Sequence, residues 1–183
     1  MSELTISAQI TPNPHTLKFM LSQLLIESGS IDFTNPEKAA TSPLAKALFE
    51  INGVTGVLIG VNFVSVSKST QVDWASLAEP ITTTLKSVIG QGGTLVDTSL
   101  LSSNAHGNSE IETRIKEILD QEIRPAVAMD GGDIIFYGYE DGIVSLHLQG
   151  ACSSCPSATL TLKMGIENRL KEEFSEIVGV IEV

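Results

Sequence analysis

The chain has few of the residues that mark specialised chemistries. Its 183 residues include two cysteines, one tryptophan and three histidines, and aromatics make up only 5%. The two cysteines, Cys152 and Cys155, are three positions apart and close no long loop, which excludes a framework of structural disulfides. Basic residues are also scarce: 11 lysines and arginines stand against 22 acids, for a formal net charge of −11. Such a field repels phosphate backbones and anionic lipid, so neither nucleic acid nor a membrane is an expected partner. No run of about 18 apolar residues is present to span a bilayer. The opening Met1-Ser-Glu-Leu-Thr-Ile6 lacks the basic and apolar regions of a secretory signal. The expected setting is the cytoplasm, or an organellar matrix if a transit peptide has been removed. Without a glycine-rich phosphate loop or a nucleophile elbow, ATPase and hydrolase readings have no support.

The remaining composition suits a folded protein. Hydrophobic residues are 42% and charged residues 18%, a balance that can build a core, and with few aromatics that core leans on Val, Ile and Leu. The length allows one medium domain or two small ones. Charge divides unevenly, with 8 acids and 5 bases in residues 1–104 but 14 acids and 6 bases in residues 105–183.

In the first half, Leu4, Ile6, Ala8 and Ile10 alternate with polar residues, the period of a half-buried strand. Thr11-Pro-Asn-Pro14 breaks it with turn chemistry, and His15 to Leu21 reads as the return strand. Ser42-Pro43 is an N-cap with proline at N1, opening a helix that turns Leu44, Ala47, Leu48 and Ile51 inward and closes at Asn52-Gly53. Val57–Ile59 and Val61–Ser67 read as strands. Asp73 caps a longer helix with Trp74, Leu77, Ile81, Leu85 and Val88 at helical spacing, which Pro80 should kink. Residues 1–90 are therefore expected to form a ββαββα domain. Residues 91–108 lose periodicity and gain small polar residues, the composition of a flexible linker.

Residues 109–183 open on a capping box, Ser109-Glu-Ile-Glu112, followed by an apolar stripe of Ile111, Ile115, Ile118 and Leu119. Arg124-Pro125 bends or ends this helix, and Met129-Asp-Gly-Gly-Asp133 is a turn. Ile134–Tyr139 and Ile143–Gln149 form a hairpin around Glu140-Asp-Gly142, with Val144, Leu146 and Leu148 on one face and Ser145, His147 and Gln149 on the other. A helix carrying Leu160, Met164 and Leu170 and a strand from Ile177 to Val183 complete αββαβ. The fold class is α+β, two small sandwich-type domains.

Cys152 and Cys155 fall between a strand and a helix whose first residue is Pro156. Both thiols are thus expected at the positive end of a helix dipole, on a surface loop, where thiolate is favoured and where substitution opens no core cavity. Three chemistries are open to such a pair. A thioredoxin-like redox pair usually follows a βαβ entry, whereas a hairpin strand precedes this one. Structural zinc wants four ligands, and only His147 is near in sequence. An iron–sulfur cluster wants four thiolates, and one chain offers two. Two chains related by a two-fold axis offer four, so ligand counting leads to a cluster or a zinc ion shared between subunits.

The order of several motifs carries a family resemblance. Ile123-Arg-Pro125, Met129-Asp-Gly-Gly-Asp-Ile134, Asp141-Gly-Ile-Val144 and Gly150-Ala-Cys-Ser-Ser-Cys-Pro156, running on through Ser-Ala-Thr-Leu-Thr-Leu-Lys-Met-Gly-Ile-Glu167, closely resemble the NifU-like C-terminal domain. The first half, with Thr11-Pro-Asn-Pro14, Thr16-Leu-Lys-Phe19, Leu48-Phe-Glu-Ile-Asn-Gly-Val54 and the stretch from Gly60 to Trp74, is similar to the Nfu N-terminal domain. The resemblance implies a non-enzymatic scaffold or carrier. It would bind a 4Fe–4S cluster through Cys152 and Cys155 in a homodimer, take it from an upstream scaffold and pass it to apo iron–sulfur proteins. Two departures from the family pattern are His15, where Asn is usual, and Ser154, where Gly is usual. Asp130 and Asp133 are read as turn residues rather than metal ligands, Arg124 and Lys163 as bases that could balance a cluster's charge, and His147 and His106 as incidental.

Overall fold

The computed structural model describes residues 4–97, 109–153 and 156–183, and for 156–158 the backbone alone. Two compact units divide the chain, Met1–Leu101 and Ser102–Val183.

Among the described residues, the first unit is a five-stranded antiparallel sheet with two α-helices and a short 3-10 helix, Lys38–Thr41. Its strands are β1 (Ile6–Ile10), β2 (Thr16–Leu21), β3 (Ile31–Phe33), β4 (Val54–Ile59) and β5 (Phe63–Lys68), in the order β1-β2-β5-β4-β3. Sequence periodicity does not announce β3, whose three residues are too few to establish a period, and it pairs on the sheet edge beside β4. At the other edge β1 is far more exposed than its alternation suggests, with Ile10 88% accessible. Helices α1 (Pro43–Phe49) and α2 (Trp74–Gly90) contribute Leu44, Leu48, Leu77, Ile81 and Leu85 to a core shared with Phe19, Val57, Ile59, Val64 and Val66. Each such fully buried side chain contributes about 1.5–3 kcal/mol through removal of apolar surface from water.

Local chemistry accounts for the helix ends. Ser42 caps α1 by accepting the amide of Ala45, and Pro43 occupies the first turn, where its missing N–H leaves no bond unmade. The helix stops at Phe49, earlier than the Asn52-Gly53 pair, which instead turns the chain into β4 with Gly53 at a φ of 101°. Pro80 lies within α2, which continues without interruption to Gly90. In the Thr11–Pro14 turn, Asn13 is buried and its Oδ1 accepts the amide of His15, while Trp74 Nε1 at the start of α2 donates to the Pro14 carbonyl at 3.0 Å. The domain extends beyond residue 90: Val96 is buried in this core, and the Ser42 hydroxyl donates to the Leu95 carbonyl at 2.8 Å. Leu95 and Val96 therefore belong to the folded unit rather than to a linker, and residues 98–108 lie outside the described residues.

The second unit begins with α3 (Glu110–Ile118), and the reciprocal capping box between Ser109 and Glu112 is formed. A π-helical turn over Leu119–Ile123 follows, then α4 (Arg124–Met129). The Arg124 amide reaches back to the Leu119 carbonyl, so the helix widens one residue before Pro125, which has no N–H to give. Strands β6 (Gly132–Glu140) and β7 (Ile143–Gly150) form an antiparallel hairpin. Its two turn residues, Asp141 and Gly142, both have positive φ, the type I′ geometry that suits strand twist. Helix α5 (Pro156–Glu173) crosses back to β8 (Gly179–Glu182), which runs parallel to β7. Val144, Leu146 and Leu148 face the core with Ile115, Ile118, Ile134, Ile166 and Leu170, as the alternation in β7 predicts.

Candidate thiol site

The hairpin's open end, opposite the Asp141-Gly142 turn, positions Cys152. Strand β7 ends at Gly150, whose φ of 65° is a left-handed conformation that a side chain would strain. Past it, the Ala151 amide donates to the Gly131 carbonyl at 3.2 Å, fastening the segment to the loop before β6. Ser153 closes a tight turn: its amide and its hydroxyl donate to the Gly150 carbonyl at 3.2 and 2.9 Å. On the other side Thr159, in the first turns of α5, donates its hydroxyl to the Cys152 carbonyl at 2.7 Å. The helix begins at Pro156, as its N1 preference requires.

Cys152 is not on the surface. It is 4% exposed and belongs to the apolar core of this unit, against the expectation of a surface thiol whose loss would cost the fold nothing. The strand-to-helix crossover turns inward at Gly150, and Cys152 follows Ala151, itself 2% exposed, into the core. The sulfur lies over Gly132: a Cβ built there would stand 2.6 Å from Cys152 Sγ and 2.7 Å from the Gln149 carbonyl oxygen. Gly132 is thus a site residue that its place in a turn motif does not reveal. Cys155 lies outside the described residues.

The Asp130–Asp133 segment is structural. Asp130 ends α4 and Gly131 follows at a φ of 79°, a glycine C-cap. Asp133 is buried, accepts the Ile134 amide at 2.7 Å, and lies 3.0 Å from Arg124 Nε, an ion pair whose N–H is not aligned on the oxygen. Arg124 also donates to the Ile134 carbonyl at 2.8 Å and pairs with Asp120 at 2.7 Å. Its charge is thereby engaged in joining the π turn to β6. His147 faces away from the core strands, with Nδ1 2.6 Å from the Val183 carbonyl and its ring edge-on to Tyr137. His106 lies outside the described residues. Among the described residues, no three His, Cys, Asp or Glu side chains converge as a metal site.

Charge pairs bind the outer helices. Arg169 holds Glu122 through two contacts at 2.7 and 2.9 Å, and this lowers the Glu122 carboxyl below its ordinary value while raising the guanidinium. Glu167 is lowered by Lys171 and, next, by the Val180 amide that it accepts on β8.

The second unit is thus an α+β domain that buries one of the chain's two cysteines at a strand–helix junction. Family models sharpen this. Residues 115–181 match the NifU-like domain, and residues 6–92 match the N-terminal domain described as scaffold protein Nfu/NifU. The human protein named "NFU1 iron-sulfur cluster scaffold homolog, mitochondrial" is 44% identical over 97% of this chain and 71% of its own length. "NifU-like protein 5, mitochondrial" of Arabidopsis thaliana is 44% identical over 96% of this chain and 66% of its own length. The chain therefore spans about two thirds of the length of such relatives. A solution NMR structure of a NifU-like protein from Saccharomyces cerevisiae matches 53% of this chain and 90% of its own at 26% identity, with a TM-score of 0.48. The chain belongs to the Nfu/NifU-like family.

Proposed function

We propose that this protein is an iron–sulfur cluster scaffold and carrier, not an enzyme. Two chains bridge one 4Fe–4S cluster through Cys152 and Cys155 of each, receive it from an upstream scaffold, and hand it to apo iron–sulfur proteins. The observation that carries the reading is the thiol count: a family of cluster scaffolds, and a chain holding two cysteines in total, both in one strand-to-helix segment. A cluster held entirely by thiolates needs four. The symmetric homodimer is the simplest way to double two. The names of the relatives place them in mitochondria, which favours the organellar setting over the cytoplasmic one. No helix among the described residues is long and apolar enough to cross a membrane.

A thiol oxidoreductase is the competing use of the same pair. Its attacking sulfur would need access to a substrate disulfide. Cys152, at 4% exposed, is poorly placed for that attack. Anaerobic reconstitution with ferrous iron and sulfide separates the two. The carrier turns brown and holds four irons and four sulfides per two chains, on a dimer by native mass. A colourless protein that reduces disulfides with turnover sinks the carrier reading.

A further inference from the structure

We propose that Thr159 is a positioning residue for cluster ligation: its hydroxyl ties the start of α5 to Cys152 and so fixes the spacing of the two thiols. This role rests on the shared-cluster reading and adds the side chain that sets the ligand segment. Thr159 Oγ1 donates to the Cys152 carbonyl at 2.7 Å, a bond between residues seven apart. Covalent chain and hydrogen bond together make a closed ring, and Cys155 is part of it.

A helical threonine has a nearer partner. Its hydroxyl ordinarily donates to the carbonyl four residues back along the same helix. Thr82 and Thr113 do so, to Ala78 and Ser109. For Thr159 that carbonyl would be the one of Cys155, and the bond runs past it to Cys152. It therefore serves the junction between β7 and α5 rather than the helix itself.

The strand side of Cys152 is held by other means. Gly132 packs against its sulfur, Ala151 donates its amide to the Gly131 carbonyl, and Ser153 folds back on Gly150. With Cys152 fixed there, a tie to α5 sets where the chain through Cys155 must return. Closing this short segment in advance removes freedom that a cluster would otherwise have to freeze when it takes both thiolates. Because the tie is a side-chain hydroxyl, one substitution cuts it and leaves the backbone bonds of the strand side in place.

The test compares the full chain as wild type, Thr159→Val and Thr159→Ser, as apo protein and after anaerobic reconstitution with iron and sulfide. Valine keeps the branched shape and removes the donor, whereas serine keeps the donor. Urea midpoints of the apo forms report the fold. Iodoacetamide gives the alkylation rate at Cys152, located by peptide fragmentation, and a ferrous chelator gives the rate of cluster loss. Thr159→Val should alkylate faster at Cys152 and lose cluster about fivefold faster, the factor that about 1 kcal/mol for one hydrogen bond corresponds to. Thr159→Ser should stay close to wild type in both. Wild-type rates in Thr159→Val would overturn the proposal. So would an equal loss in Thr159→Ser, which assigns the effect to the methyl group. A lowered urea midpoint with unchanged alkylation would make the bond part of the fold alone, and the positioning role falls. A wild-type chain that takes up no cluster overturns the shared-cluster reading, and the proposal with it. Loaded wild type beside unaffected variants overturns only the role of Thr159.

Discussion

Gly132 and Cys152 are packed so closely that a methyl group on the glycine would stand 2.6 Å from the sulfur. The same methyl would meet the Gln149 carbonyl oxygen at 2.7 Å, so it has backbone on one side and the thiol on the other. Backbone gives least, so the thiol moves. Gly132→Ala should destabilise the C-terminal unit by about 1–3 kcal/mol, as over-packing does, and displace the sulfur. Alkylation of Cys152 by iodoacetamide in apo protein should accelerate, while iron bound after reconstitution falls. An alanine variant with unchanged alkylation and full iron would show that the contact does not position the ligand.

The two cysteines should respond differently when each is replaced. Cys152 is part of the core, so Cys152→Ser puts a hydroxyl among Ile and Leu side chains. A poorly satisfied buried hydroxyl costs about 1–3 kcal/mol, whereas Cys152→Ala should cost less because nothing polar is buried. All of Cys152→Ser, Cys152→Ala and Cys155→Ser should abolish stable cluster binding. Urea denaturation of the apo forms beside iron analysis of the reconstituted ones checks both halves of this statement.

Arg124 and Asp133 predict a purely structural phenotype. Asp133 is buried, and Arg124 is about one third exposed, so removing the arginine leaves a carboxylate with a weakened partner set. Arg124→Gln should destabilise the unit by about 1–3 kcal/mol, less than the roughly 3–5 kcal/mol of a fully buried pair because solvent reaches one side. Adding Asp133→Asn should restore part of the loss, since it removes the buried charge. Urea midpoints of the single and double variants, treated as a double-mutant cycle, measure the coupling.

Most of the fold was legible, and the reasons differ by region. The capping box at Ser109, the Ser42-Pro43 start of α1 and the Asp141-Gly142 hairpin turn are short-range chemistry, decided within four residues, and each formed. The alternation in β7 sorted its two faces because one side meets a core and the other does not. What escaped depends on long-range placement. Three-residue β3 is held by its pairing with β4 rather than by any period of its own. Leu95 and Val96 look like linker because only tertiary packing makes them core. The thiol spacing pointed to ligand chemistry, but the burial of Cys152 arises from where Gly150 turns the chain and from Gly132 on the neighbouring strand, which no local pattern records.

Acid should loosen the charge pairs on the C-terminal unit. Glu122 and Glu167 are both lowered from an ordinary value of 4.5, by Arg169 and by Lys171. A carboxyl whose folded pKa is depressed stabilises the fold above its unfolded value and loses that contribution as pH falls through the folded one. The melting temperature should therefore decline below about pH 4.5, and the decline should be shallower in Glu122→Gln, which has no such proton to take up. Thermal melts of apo protein from pH 6 to pH 3 give the comparison.

The C-terminal unit should stand alone. Residues 109–183 contain a capped helix, a hairpin whose turn has the geometry its strands require, a crossover helix and a closing parallel strand. Their core is drawn from all of these elements, with Ile115 and Ile118 from α3, Ile134 and Phe136 from β6, Leu146 from β7, Ile166 and Leu170 from α5, and Val180 from β8. A domain this small has a modest margin, because little of its surface is buried relative to its length. Expressed as residues 109–183, it should nevertheless give a single cooperative urea transition and, after anaerobic reconstitution, the same iron per chain as the full protein. The N-terminal unit holds no cysteine, so it supplies no thiolate, and its removal should leave ligation intact. A fragment that folds cooperatively yet takes up no iron, beside full-length protein that does, would show that the first domain helps assemble the site.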